Sequence, residues 1–179
     1  SDGLQMERAH ELAELLDLNM DVPVLLAGST HEGEEELVLE AFTSAAPRAR
    51  VILVPRHPPR VPGIVQAFEG RGISPQLLTA VRGGKETPDP TRPLIVDTIG
   101  ELEAFYGLCT LAFVGGTLVD HGGQNVLEPA AQGKPVLHGP SVSNFSQEAG
   151  LLAQAGASWE VKNGADLKEA VEELLANPE

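Results

Sequence analysis

The sequence predicts an α/β fold, a mostly parallel sheet with helices on both faces, and three observations lead there. Short apolar runs alternate with stretches of helical periodicity from one end of the chain to the other. Three of the apolar runs stop at Gly28, Pro55 and Gly115, and helical stretches stop at Gly133 and Gly156, residues that punctuate turns. The chain has 179 residues, 42% of them hydrophobic, which suits one domain with a substantial core.

The elements follow in order. Leu4 to Leu18 carries Met6, Ala9, Leu12, Ala13, Leu15 and Leu16 at helical spacing. Val22 to Ala27 is a strand ending at Gly28. Glu34-Glu35-Glu36 opens a helix whose apolar face is Leu37, Val38, Ala41, Phe42 and Ala45, with the acidic first turn at the positive end of the dipole. Arg50 to Val54 is a β-branched strand, and Gly63 to Glu69 a short helix. Gln76 to Thr79 predicts a weak strand, Arg82 to Pro93 an exposed loop, Leu94 to Val96 a strand, and Glu101 to Gly107 a helix. Leu111 to Val114 is a strand, Val126 to Gln132 a helix stopped by Gly133, and Pro135 to Leu137 a strand. Asn144 to Ala155 is a helix stopped by Gly156, Ser158 to Val161 a strand, and Asp166 caps a last helix reaching Ala176. The reading is one domain over residues 1–179, with no internal repeat and no low-complexity tract.

Composition narrows the function. The formal charge of −14 argues against nonspecific binding of nucleic acid or anionic membrane, and 4% aromatic residues leave little for a base-stacking platform. Eight of the 12 basic residues fall between Arg48 and Arg92, a local positive patch that an anionic small molecule can meet. No run of about 18 apolar residues predicts a membrane-spanning helix. The single Cys109 excludes an internal disulfide and reads as a small packed residue.

The chemistry gathers where strands end. In open parallel sheets ligands bind beyond the carboxyl ends of the strands. Gly28-Ser29-Thr30-His31, Arg56-His57-Pro58, Ile99-Gly100-Glu101 and the loop after Val114 all follow predicted strands. That loop holds Gly115, Gly116, Gly122 and Gly123, and it leads into a helix start near Asn125. Backbone N–H groups there, with the helix dipole, form an anion-binding arrangement. Arg56 offers a planar fork of donors to a phosphate or carboxylate. Ser29 and Thr30 either donate to an anion or cap the next helix. Asn125 and Glu128 have the spacing of a capping pair, and Glu128 alternatively accepts hydrogen bonds from sugar hydroxyls. His57 is a ligand candidate, His31, His121 and His138 are weaker ones, and His10 lies at the surface. No HExxH, GxGxxG or GxxxxGK[ST] pattern is present, so no metal, dinucleotide or P-loop site is expected.

Several segments together resemble a known family. AGSTHEGEEE at Ala27 to Glu36, RHPPR at Arg56 to Arg60, DTIGEL at Asp97 to Leu102, FVGGTLVDHGGQNVLEPAAQGKPVLHGP at Phe113 to Pro140, and NF at Asn144 resemble, in order, the 3-deoxy-D-manno-octulosonic acid (Kdo) transferases of lipopolysaccharide synthesis. The resemblance implies a Rossmann-like domain, the C-terminal, donor-binding half of a two-domain GT-B glycosyltransferase. It implies CMP-Kdo as donor, lipid A precursor as acceptor through an N-terminal domain outside this sequence, no cofactor, and action at the cytoplasmic face of the bacterial inner membrane. It puts Arg56 and Pro58 at the nucleotide phosphate, Ile99, Gly100 and Glu101 near the cytidine, and Asn125 and Glu128 facing the donor. Gln124 stands where many relatives have histidine and is given no role. The general base belongs to the other domain, so no catalytic residue is named here. A UDP-sugar transferase or epimerase half, and a noncatalytic nucleotide-sugar-binding module, stay open as alternatives.

Overall fold

The structure, a computed structural model, describes residues 2–123 and 126–177 of the chain. Its elements are α1 (Asp2–Leu15), β1 (Val24–Thr30), α2 (Glu35–Ala45), β2 (Arg50–Pro55), a 3-10 turn (Pro58–Arg60), α3 (Val61–Gly70), β3 (Gln76–Leu77) and α4 (Leu78–Arg82). Then come β4 (Leu94–Ile95), α5 (Leu102–Leu108), β5 (Leu111–Val114), α6 (Leu127–Ala131), β6 (Val136–His138), α7 (Ser146–Gln154), β7 (Ser158–Glu160) and α8 (Gly164–Ala176).

Among the described residues the strands form one sheet in the order β3-β4-β2-β1-β5-β6-β7, with every pairing parallel. Central strands of such a sheet are covered on both faces, which is why β1, β2 and β5 read as continuous apolar runs. Alternate side chains still go to opposite faces. Leu25, Ala27, Leu53 and Phe113 join Val38, Phe42, Phe68 and Leu167 in one core under α2, α3 and α8. Leu26, Ile52 and Ala112 join Leu12, Leu16, Phe105 and Tyr106 in the other, under α1, α4 and α5. A third, smaller cluster of Val114, Val126, Val136 and Ala149 seats α6 and α7. Each fully buried Leu or Phe contributes roughly 1.5–3 kcal/mol against leaving it in water.

Three elements differ from the sequence reading. The first strand, expected over Val22 to Ala27, starts at Val24 and runs through Thr30, so Gly28, Ser29 and Thr30 lie within β1 rather than after it. The strand predicted over Gln76 to Thr79 ends at Leu77, and a helix starts at once. Leu78 and Val81 lie three residues apart and bury in the same core cluster, which one face of a helix allows, whereas a strand would send them to opposite faces. Asp97 fixes the start of this helix by accepting hydrogen bonds from the Thr79 N–H at 3.1 Å and its hydroxyl at 2.5 Å. At α8 the cap is Asn163, whose Oδ1 accepts the Asp166 N–H at 2.9 Å, while Asp166 reaches back to the Lys162 N–H at 3.0 Å.

Chain direction positions the site. β1 neighbours β2 on one side and β5 on the other, so the strand order reverses there and opens a crevice at the carboxyl ends of β1 and β5.

Candidate functional site

At the end of β1 the pairing with β2 shifts register between Gly28 and Thr30, and Ser29 takes a φ of +55°. Such a conformation is costly for a residue with a side chain and persists only where the surroundings impose it. Here the imposing neighbour is β5. Gly115 comes so close that a Cβ on it would lie 2.2 Å from the Ser29 carbonyl oxygen and 2.5 Å from the Thr30 Cα. Neither Ser29 nor Thr30 caps α2, whose first-turn position is preceded by Glu34. Thr30 is fully buried, and its hydroxyl has no hydrogen-bond partner among the described residues, so it does not reach the cleft surface.

The glycine loop is where the structure corrects the sequence reading most. The N–H groups of its four glycines already have partners inside the chain. Gly115 donates to the Gly28 carbonyl at 2.7 Å, Gly122 to Ser141 Oγ at 3.0 Å and Gly123 to the Gly116 carbonyl at 2.8 Å. The Gly116, Thr117 and Leu118 N–H groups fan onto one carboxylate, that of Glu34, at 2.8, 3.1 and 3.0 Å. The same carboxylate accepts the His31 N–H at 2.8 Å. Glu34 is 0% exposed. The loop does bind an anion, and the anion is its own. The N–H groups of Gly115, Gly116, Gly122 and Gly123 are thus engaged within the chain rather than turned to the cleft as an open anion site. Glycine is needed there for geometry: Gly116, Gly122 and Gly123 have φ between +71° and +84°.

The sequence reading took Glu34-Glu35-Glu36 as an acidic first turn. Glu35 and Glu36 do lie in the first turn of α2, where Glu36 pairs with Arg71 at 2.6 Å. Glu34 turns inward to the loop, and Glu35 is buried against Arg60 at 2.7 Å. Three adjacent carboxylates carry no sequence mark of which one turns inward.

The positive patch also changes character. Arg60, Arg71, Arg82 and Arg92 are each paired with a carboxylate. Arg50 is buried at the opposite edge of the sheet, where desolvation pushes its guanidinium down and it donates to the Arg92 carbonyl. Arg56 differs from these. It follows β2 at the cleft, its N–H donates to the Thr30 carbonyl at 2.9 Å, and its exposed guanidinium has no carboxylate partner among the described residues. His57 is exposed beside it and Pro58 begins the 3-10 turn.

Beyond β4, Ile99 is 85% exposed and Gly100 has a φ of +87°. With Glu101, Arg82, Arg8 and Leu12 they line a cavity of about 690 Å³. Arg82 pairs with Glu101 at 2.5 Å. That guanidinium, helped by the Thr98 hydroxyl and opposed by partial burial, holds the Glu101 carboxyl below the usual range.

Glu128 is in the first turn of α6. The residue is exposed, yet partial desolvation, ahead of the neighbouring Glu103 carboxylate, pushes its carboxyl above the usual range. The position before α6 is Val126, which offers no side-chain cap, and Pro129 fits the first turn, where its missing N–H is harmless. With five residues, α6 has little dipole to offer. Asn125 and Gln124 lie outside the described residues.

The four segments thus meet at one sheet edge, but not all at one point. His31, His57 and His121 have their rings together. Glu101 engages Arg82 and Thr98, and Glu128 lies toward α5. His10 pairs with Glu14 at the surface, and buried His138 bonds the Gly139 carbonyl through Nδ1 at 2.7 Å.

A 3-deoxy-D-manno-octulosonic acid transferase of Haemophilus influenzae is 38% identical over 164 residues, which is 89% of this chain and 38% of that protein. The crystal structure of the C-terminal CMP-Kdo binding domain of WaaA from Acinetobacter baumannii superposes with a TM-score of 0.86 at 26% identity, over 98% of this chain and 91% of that one. The chain belongs with the C-terminal domains of the Kdo transferases. The Kdo transferase of Bordetella pertussis is 32% identical over 87% of this chain and 37% of its own length, so the chain spans under half of these relatives. An O-GlcNAc transferase of Thermobaculum terrenum, at TM-score 0.54 and 21% identity over 86% of this chain and 28% of that one, shares the fold of a GT-B C-terminal domain. No protein-family model matches the chain. The crevice between β1 and β5 lies at the sheet edge where the segments shared with these relatives meet.

Proposed function

We propose that this chain binds CMP-Kdo as the donor domain of an enzyme that transfers Kdo to a lipid A precursor. The observation that carries the reading is Arg56, an exposed guanidinium at the carboxyl ends of the strands with no carboxylate partner among the described residues. A phosphodiester is the partner its fork fits. Pro58, at the start of the 3-10 turn, borders the same phosphate. Exposed Ile99 covers one face of the cytosine, with Gly100 allowing close approach and Glu101, aligned by Arg82, accepting from the base or ribose. Glu128 accepts from donor hydroxyls, together with Asn125. Ser29 is half-exposed at the β1 end and contributes its hydroxyl, whereas buried Thr30 supports the floor.

In this reading the chain's residues bind and orient the donor, and none of them is the general base. The acceptor and its membrane belong to the rest of the enzyme; among the described residues of this chain no helix is long and apolar enough to cross a membrane. Isothermal titration of the chain should show CMP bound more tightly than UMP or UDP, and a transfer assay with the chain alone should be blank. Tighter binding of UDP would sink the Kdo assignment in favour of a UDP-sugar donor. Robust transfer would overturn the division of labour between domains.

A further inference from the structure

Three imidazoles from three segments meet at the cleft: His31 after β1, His57 after β2 and His121 in the glycine loop. His121 stacks on His31 with ring centroids 4.1 Å apart and planes 21° from parallel. His57 meets His31 edge-on at 5.6 Å and 84°. His31 is 8% exposed, while His57 and His121 face solvent. The described residues hold no group of three His, Cys, Asp or Glu side chains arranged for a metal ion, so the cluster is not a metal site of that kind.

The charged groups around His31 come from every neighbouring segment. Burial, His121, His57 and then Arg60 of the 3-10 turn all oppose a proton on it, and Glu35 of α2 favours one, so its pKa is lowered. Glu35 is itself engaged by Arg60, and the Glu34 carboxylate holds the His31 backbone N–H. Asp120 precedes His121 in the loop. His31, which burial and its cationic neighbours hold against protonation, gains a reason to accept a proton when an anion arrives beside it.

The chemistry of the proposed donor supplies that anion. Its sugar carboxylate is attached to the carbon that bears the phosphoester oxygen, so a carboxylate subsite must adjoin the phosphate subsite. His57 directly follows Arg56 in the chain. We propose that His31, His57 and His121 form the subsite for the carboxylate of an acidic sugar donor, and that the cluster takes up a proton as that carboxylate binds. The subsite rests on the reading that the chain binds CMP-Kdo. It separates acidic from neutral sugar donors, because a neutral sugar brings no charge to draw the proton in.

The sign follows from linkage: the bound cluster holds more protons than the free one, so affinity rises as pH falls. The test titrates the chain at pH 6, 7 and 8 with CMP-Kdo and with the methyl diester of CMP. The latter has the nucleotide and phosphodiester without the carboxylate. Neither ligand titrates in this range, so any proton uptake, read from calorimetry in two buffers of different ionisation enthalpy, is the protein's. CMP-Kdo should bind about tenfold more weakly at pH 8 than at pH 6, which corresponds to about half a proton per ligand across that span, and the methyl diester should be insensitive. His57→Gln, and His121→Phe, which keeps a ring against His31, should each flatten the CMP-Kdo profile while leaving methyl-diester affinity and melting temperature close to wild type. If CMP-Kdo binds without proton uptake, or the variants keep the wild-type profile, the subsite is refuted and the donor reading stands. If neither ligand binds the wild-type chain, the donor reading itself fails and takes the subsite with it.

Discussion

Replacing Glu34 with glutamine tests the inward carboxylate directly. The side chain keeps its size, but one oxygen becomes an NH₂ group. One oxygen of the native carboxylate accepts from His31 and Gly116, each at 2.8 Å, and the other from Thr117 and Leu118 at 3.1 and 3.0 Å. Whichever way the amide turns, two backbone N–H groups face a donor. Glu34 is 0% exposed, so water does not replace the lost acceptor without opening the loop. Each orphaned buried donor costs about 1–3 kcal/mol. For two of them we expect a loss of about 3–4 kcal/mol, which for a chain of this size lowers Tm by roughly 6–16 °C. Circular dichroism melts and urea titration read the stability, and amide hydrogen exchange at Gly116, Thr117 and Leu118 reads the loop. A Tm within about 2 °C of wild type, with those amides still protected relative to the rest of the chain, would refute the view that this carboxylate holds the loop together.

Two glycine substitutions should move stability in opposite directions. Gly139→Ala places a Cβ 2.2 Å from the Thr117 carbonyl oxygen and should cost about 3 kcal/mol or abolish folding, whereas Gly150→Ala, inside α7 with open space around it, should stabilise by about 0.5–1 kcal/mol in a thermal melt. Arg56→Ala should weaken CMP binding by about 10- to 150-fold with little change in Tm, and Arg56→Lys should restore only part of it; calorimetry showing unchanged affinity would return Arg56 to a surface role. Glu128→Gln should impair CMP-Kdo binding while preserving Tm, because the amide keeps the side chain's shape and can still reach back as a cap; a purely thermal effect would exclude it from the donor site. Burial pushes the Cys109 thiol up to about 12, and its Sγ lies 3.3 Å from the Tyr106 carbonyl, so the native protein should resist iodoacetamide at pH 8 until it is unfolded. Rapid alkylation of the folded chain, read by mass spectrometry, would contradict that burial.

The parts of this fold that were legible in the sequence are those where one residue pattern has one physical meaning. Leu111 to Val114 is an unbroken apolar run with turn signals at each side, and it forms β5 with those limits. Gln76 to Thr79 was not legible, because Leu77 and Leu78 are equally apolar and only the third dimension shows that Leu78 and Val81 share a helical face. The convergence of four segments on the strand ends could be read, since parallel topology forces it. What each group does there could not. The same glycines that signal an open anion loop also serve a loop already closed on a carboxylate, and the partner, Glu34, lies 82 to 84 residues away from the N–H groups it satisfies. Likewise, a cluster of arginines in sequence gives no hint that four of them are matched in space by Glu35, Glu36, Glu101 and Glu86.

The inward turn of Glu34 has an electrostatic consequence for any ligand. A site that held its anion on buried backbone dipoles would be shielded from ions in solution. Here a carboxylate already lies behind the loop, and in the proposed donor site the attraction comes from Arg56 and neighbouring side chains exposed at the rim. Charges on a rim are screened over about 8 Å at physiological ionic strength and about 3 Å at 1 M. Affinity for an anionic nucleotide should therefore fall steadily as salt is added, and the cleft would hold its ligand through a field that the surrounding solution can turn down.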